Sequence, residues 1–115
     1  MKTEVLTLNK ERNVTLTTYI QDCGEGFGCV AKRPAVLILP GGAYQMCSDR
    51  EADPVAFAFA KAGYHAFVLR YSVMDDCTWP NPLNDYAQAM TLIRSHADTW
   101  HLYEDNIDDI GFSAG

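Results

Sequence analysis

The chain has 115 residues, 48% of them hydrophobic and 21% charged, a length that suits one compact domain and not two. A formal net charge of -6 with scattered acids excludes a basic nucleic-acid face and disfavours binding to an anionic membrane surface. No apolar run approaches the roughly 20 residues of a spanning helix. Residues 1–14 also lack the apolar core of a signal peptide, so the cytosol is the expected location.

In chain order, residues 3–8 and 13–20 are rich in valine, threonine and leucine. In the second stretch Val14, Leu16, Thr18 and Ile20 alternate with more polar positions, which predicts a half-buried strand. The stretch NKERN between the two is a hairpin turn. The glycines of QDCGEGFGCVAKR suit a flexible connection better than a phosphate cradle. PAVLIL (34–39) and HAFVLRY (65–71) are continuous apolar runs, the pattern of parallel strands buried on both faces.

Between those runs Asp53 caps a predicted helix with Pro54 at its first position and Gly63 at its close. Helical spacing puts Val55, Ala58, Phe59 and Ala62 on one face. Ser48 and Glu51 have capping-box spacing, which allows an earlier start. A second helix is capped by Asn81 with Pro82 at N1, and Leu83, Tyr86, Ala87, Met90, Ile93, Ala97 and Trp100 form its stripe. A final strand near 107–112 runs into Ser113. The predicted class is therefore α/β, with antiparallel first strands leading into a three-stranded parallel core.

Cys23, Cys29, Cys47 and Cys77 are irregularly spaced, with no Cys-x-x-Cys pair. Neither a zinc site nor a disulfide framework is expected from them. Cys47 stands out only because it lies beside a glycine loop.

Two motifs carry the candidate chemistry. LPGGAYQ follows a buried strand at some distance from the next helix, which does not fit a dinucleotide fingerprint. Alone, Gly41-Gly42 serves equally well as a ligand-facing loop or a plain tight turn. The chain ends in Gly111-Phe112-Ser113-Ala114-Gly115, a Gly-x-Ser-x-Gly pattern. That pattern holds a nucleophilic serine on a sharp strand-to-helix turn, with small flanking residues to avoid clashes. A Gly-Gly loop at the end of one parallel strand and a Gly-x-Ser-x-Gly turn at the end of a later one specify more together than either does alone.

On these residues, the run from VLILPGGAYQ through HAFVLRYS, then WPNPLNDYAQAMTLIRSHAD, then IGFSAG, the chain resembles the α/β-hydrolase fold. The resemblance covers residues 34–115 and is nearest the bacterial esterase/lipase group related to acetyl-xylan and other carbohydrate esterases. It implies Ser113 as nucleophile and the N–H groups of Gly42, Ala43 and Ala114 as oxyanion hole. Tyr44 and Trp79 either line an acyl or sugar pocket or simply pack.

Three departures from the group's pattern are visible. The loop has Pro40-Gly41-Gly42-Ala43 where many relatives have His-Gly-Gly-Gly, and Asp108 and Asp109 occupy a strand that relatives fill with apolar residues. Burying such acids unpaired is costly, so that strand is expected to be partly exposed or its acids paired. The glycine-rich helix start after the elbow is also missing from these residues.

In this fold the triad runs serine, acid, histidine along the chain. Both partners are thus expected after Ser113, and residues 1–115 are expected to form a single incomplete domain, the front half of a longer enzyme. His65, His96 and His101 are expected at surfaces or helix ends; Asp75 and Asp76 in a solvated loop; Asp85 and Arg70 as a structural pair. The implied activity is carboxylic-ester hydrolysis without metal or organic cofactor, acting on a small ester or acetylated sugar. Two alternatives stand beside it: an inert fragment prone to self-association through a bare strand edge, and a serine peptidase of the same fold.

Overall fold

The computed structural model describes residues 1–23, 32–42 and 45–112. Five strands form one mixed sheet: β1 (Lys2–Asn9), β2 (Val14–Ile20), β3 (Arg33–Leu39), β4 (His65–Arg70) and β5 (Leu102–Gly111). Two helices flank it, α1 (Asp53–Lys61) and α2 (Asn81–Ser95). The strand order is β1-β2-β4-β3-β5. β1 and β2 are antiparallel and β2 joins β4 antiparallel, while β3 runs parallel to both β4 and β5.

The hairpin turn closes as the sequence suggests, with Asn13 at φ 54° donating its N–H to the Lys10 carbonyl. Asparagine tolerates that left-handed backbone better than most residues. β2 differs from its expected half-buried pattern. Thr17, Thr18 and Tyr19 are as buried as Val14 and Leu16, because the strand lies inside the sheet with apolar layers on both faces.

Two clusters fill those layers. On one face Leu16, Leu37, Phe67 and Leu69 meet Ala89, Met90, Ile93 and Ala97 from α2 and the residues after it. On the other, Tyr19, Val36, Ile38, Ala66 and Val68 meet Ala52 and Ala56. Each large side chain fully removed from water contributes about 1.5–3 kcal/mol, so the alternation along β3 and β4 anchors both helices.

Both helix faces sit slightly off their predicted positions. α1 buries Ala56 and Ala60, with Val55 and Phe59 partly covered, whereas Ala58 and Ala62 are exposed. Small alanines let the helix approach the sheet closely, so they turn inward and the larger Val55 and Phe59 pack at the sides. Ala52 is its N-cap and Asp53 its first residue, preceded by a 3₁₀ turn over Asp49–Glu51. The capping box does not form, since Ser48 makes no side-chain cap bond.

α2 starts one residue before the predicted position, with Pro80 as cap and Asn81 inside. It buries Asp85, Ala89, Met90 and Ile93, while Leu83 and Ala87 face solvent. The buried acid is the surprise. Asp85 accepts from Arg12 Nη2 (2.7 Å), Ser72 N–H (2.8 Å) and Ser72 Oγ (2.5 Å), and Arg12 Nε donates to Ser72 Oγ (2.9 Å). A buried carboxylate survives when its lone pairs are met in this way. The expected Asp85–Arg70 pair is therefore not made. Arg70 instead faces Asp49 (3.5 Å) and Asp53 (3.8 Å), and Asp53 accepts the Tyr19 hydroxyl. Burial, then that hydrogen bond to a carboxylate, pushes Tyr19 up to about 12.

β5 is longer than predicted, beginning at Leu102, and flanks the sheet beside β3. Asp108 and Asp109 are both exposed, and Asp109 accepts the Tyr86 hydroxyl. That is the arrangement the cost of burying unpaired acids requires. Among the described residues, no helix is long and apolar enough to cross a membrane.

Candidate active site

The site is set by the ends of two parallel neighbours. β3 and β5 pair Ile38 with Ile110 and Leu39 with Gly111, and the Phe112 N–H then donates to the Leu39 carbonyl at 3.0 Å. The glycine loop therefore leaves β3 at the edge where β5 delivers Phe112, one residue before Ser113. In open α/β sheets, ligands collect outside the carboxyl ends of the parallel strands.

The loop is tied down residue by residue. The Pro40 carbonyl accepts the Tyr71 hydroxyl, and the Gly41 N–H donates to Glu51 Oε1 at 3.1 Å. The Gly41 carbonyl accepts the Ser48 N–H (2.8 Å), and the Gly42 carbonyl accepts the Gln45 N–H (3.0 Å). Among the described residues the Gly42 N–H has no acceptor. Gly42 sits at φ 152°, where a Cβ would lie 2.2 Å from the Met46 carbonyl oxygen, so only glycine fits. A cleft of about 390 Å³ opens here, lined by Gly41, Gly42, Met46, Ser48, Arg50 and Glu51.

Of the residues nominated by sequence, Gly42 lies in this cleft. Ala43, Tyr44, Ser113 and Ala114 lie outside the described residues, as do Cys29 and the glycines of the 24–31 stretch. Trp79 follows β4 and is 76% exposed, so it is not packed in the core. Asp75 and Asp76 are exposed, as expected of a solvated loop.

His65 overturns its surface reading, being fully buried. It opens a parallel strand, so it lies at the end of the sheet opposite Leu39 and Phe112. Its Nδ1 accepts the Gln21 N–H (3.0 Å), which leaves Nε2 as donor to the His101 carbonyl (3.1 Å). Burial lowers its pKa below the ordinary 6.5. With both nitrogens engaged and the wrong edge of the sheet, it is a structural histidine. His96 caps the end of α2 and stacks on Trp100, and His101 is exposed in the connection to β5.

Cys47 is half-buried, its thiol 3.9 Å from the Tyr71 carbonyl. Burial pushes that thiol up, which keeps it protonated and poorly nucleophilic. Glu51 and Tyr71 went unrecognised in the sequence. Glu51 has capping-box spacing with Ser48, which hides its bond to the loop, and no local pattern links Tyr71 to a loop thirty-one positions earlier.

Residues 29–115 match the BD-FAE family model. The chain belongs to the BD-FAE family of α/β-hydrolases. Its fold is similar to that of MGS-M1, an α/β-hydrolase enzyme from a Medee basin deep-sea metagenome library. The TM-score is 0.95 at 47% identity, covering all of this chain and 48% of that one. The carboxylesterase Cest-2923 from Lactobacillus plantarum is 30% identical at a TM-score of 0.88, over 98% of this chain and 42% of that one. An acetyl ester-xyloside bifunctional hydrolase from Caldicellulosiruptor lactoaceticus is 26% identical at 0.84, over 96% and 43%. Endo-1,4-beta-xylanase B from Butyrivibrio fibrisolvens is 36% identical over 87 residues, 73% of this chain and 14% of that protein. This BD-FAE chain thus spans about half the length of the solved structures named and a small part of the xylanase.

Proposed function

We propose that this BD-FAE chain carries the nucleophile and oxyanion donors of a serine esterase. The observation that supports it most is the adjacency of the two strand ends, with Phe112 bonded to Leu39 and the Gly42 N–H, in the loop that follows, without an acceptor among the described residues. Ser113 Oγ attacks the ester carbonyl carbon and passes its proton to a histidine oriented by an acid. The Gly42, Ala43 and Ala114 N–H groups hold the oxyanion of the tetrahedral intermediate, an interaction worth about 10²–10³ in kcat per donor. Collapse expels the alcohol, which takes the proton; water then attacks the acyl-enzyme and releases the acid.

Acid and histidine are assigned to residues outside these 115, so the domain is incomplete without them. The described histidines support that assignment: His65 is engaged at the opposite edge, and His96 and His101 belong to the end of α2 and its connection. The polypeptide of residues 1–115 alone is accordingly inactive, and the edge of β5 favours its self-association. The substrate is a small ester in the cytosol, with acetylated sugars as the leading class. The likeness to an acetyl ester-xyloside hydrolase and to a xylanase-named protein supports that class. Tyr44 and Trp79 are assigned to the acyl or sugar pocket.

The test uses the native gene product with p-nitrophenyl acetate, acetylated xylo-oligosaccharides and dipeptide amides. Turnover of the esters that Ser113→Ala abolishes supports the proposal. Faster cleavage of the amides would favour the peptidase reading, and ester turnover that survives Ser113→Ala would refute both.

A further inference from the structure

We infer that Glu51 is a positioning residue, whose carboxylate fixes the glycine loop so that the Gly42 N–H is held ready for the oxyanion. The inference rests on the esterase reading above. Peptide units are planar and trans, so a carbonyl and the next N–H move as one rigid group. The unit joining Pro40 to Gly41 is gripped at both ends, by the Tyr71 hydroxyl on its oxygen and by Glu51 Oε1 on its N–H. Among the described residues, the unit joining Gly41 to Gly42 is gripped at its oxygen only, by the Ser48 N–H at 2.8 Å. Its other end is the Gly42 N–H, which points away from that carbonyl. Two successive planes are thus set, and one donor is left over.

Glu51 is the only side chain that accepts a loop N–H among the described residues. It is presented from a firm base. The adjoining Ala52 is fully buried in the cluster under α1, and Ser48, which holds the following peptide, caps the same 3₁₀ turn. An N–H bonded to a carboxylate is stronger than one bonded to a neutral group. Gly41 itself is buried, so water does not readily replace the carboxylate. Glu51 also lines the cleft, yet its bond is to the loop, so it acts through Gly41 and not on the substrate.

Kinetics of the native gene product on p-nitrophenyl acetate test this, together with inhibition by a trifluoromethyl ketone that forms a tetrahedral adduct. Glu51→Ala is expected to lower kcat about 10–100-fold, the scale of a misplaced oxyanion donor, with KM within about threefold. The Ki for the ketone should rise in step with the loss in kcat/KM. Glu51→Gln keeps an acceptor oxygen and should retain most of the activity. If Glu51→Ala does not fold, Glu51→Asp carries the comparison, since one methylene fewer withdraws the acceptor while keeping the charge. Wild-type kcat in Glu51→Ala or Glu51→Asp, alongside an inactive Ser113→Ala, overturns the inference and leaves the esterase reading intact. An active Ser113→Ala removes the reading, and the inference with it.

Discussion

Arg12 and Asp85 stand 73 positions apart in the chain and 2.7 Å apart in space. Together with Ser72 they pin the β1–β2 turn and α2 to the end of β4. The acid is fully buried and the arginine largely so, which makes this contact a shielded polar anchor.

Asp85→Ala should therefore destabilise the native gene product by about 3–5 kcal/mol, because it leaves a guanidinium and a buried N–H without their acceptor. Arg12→Met combined with Asp85→Leu should cost markedly less than Asp85→Ala. Urea denaturation of the three proteins checks both statements. Equal losses in Asp85→Ala and the double variant would show that the pair's desolvation is not what matters.

Gly42→Ala is expected to cost about 1–3 kcal/mol of backbone strain, further stability for the shift forced by a Cβ 2.2 Å from the Met46 carbonyl oxygen, and about 10² in kcat. Gly63 is the control, being at φ 103° where a Cβ would make only an ordinary contact, with Arg33 Nη1 at 3.6 Å. Gly63→Ala should carry strain alone and leave kcat unchanged. Thermal melts and steady-state kinetics on the two variants separate strain from misplacement.

His65 gives a pH signature. Its folded pKa lies below the unfolded 6.5, so on acidification the unfolded chain takes up a proton that the folded one refuses. Stability should fall as pH drops through 6.5 towards the folded value and level off below it, at no more than about 1.4 kcal/mol per pH unit from this group. His65→Gln should flatten that part of the profile. Denaturation at a series of pH values between 4 and 8 provides the measurement.

The sheet was legible because burial on both faces writes continuous apolar runs, as in PAVLIL and HAFVLRY. The motifs were legible because glycines at strand ends carry a backbone demand that few other contexts impose. What escaped were contacts between distant polar residues. Asp85 falls on a helix position that apolar counting treats as noise, and its partner Arg12 sits in a turn where charge is ordinary. Likewise Ser48 and Glu51 have the spacing of a local cap, but Glu51 bonds Gly41, ten positions away. Periodicity also blurred the helix faces, since alanines score alike whether they meet the sheet, as Ala56 does, or water, as Ala58 does.

The central claim is that Ser113 is the nucleophile served by the loop at Gly42. A fluorophosphonate probe, followed by peptide mass spectrometry of the native gene product, examines it most directly. One adduct on the peptide containing Ser113 is expected, formed at least tenfold more slowly in Gly42→Ala by roughly the loss of one aligned donor. Active protein labelled at another residue, or labelled at Ser113 with no change in rate in Gly42→Ala, would contradict the account.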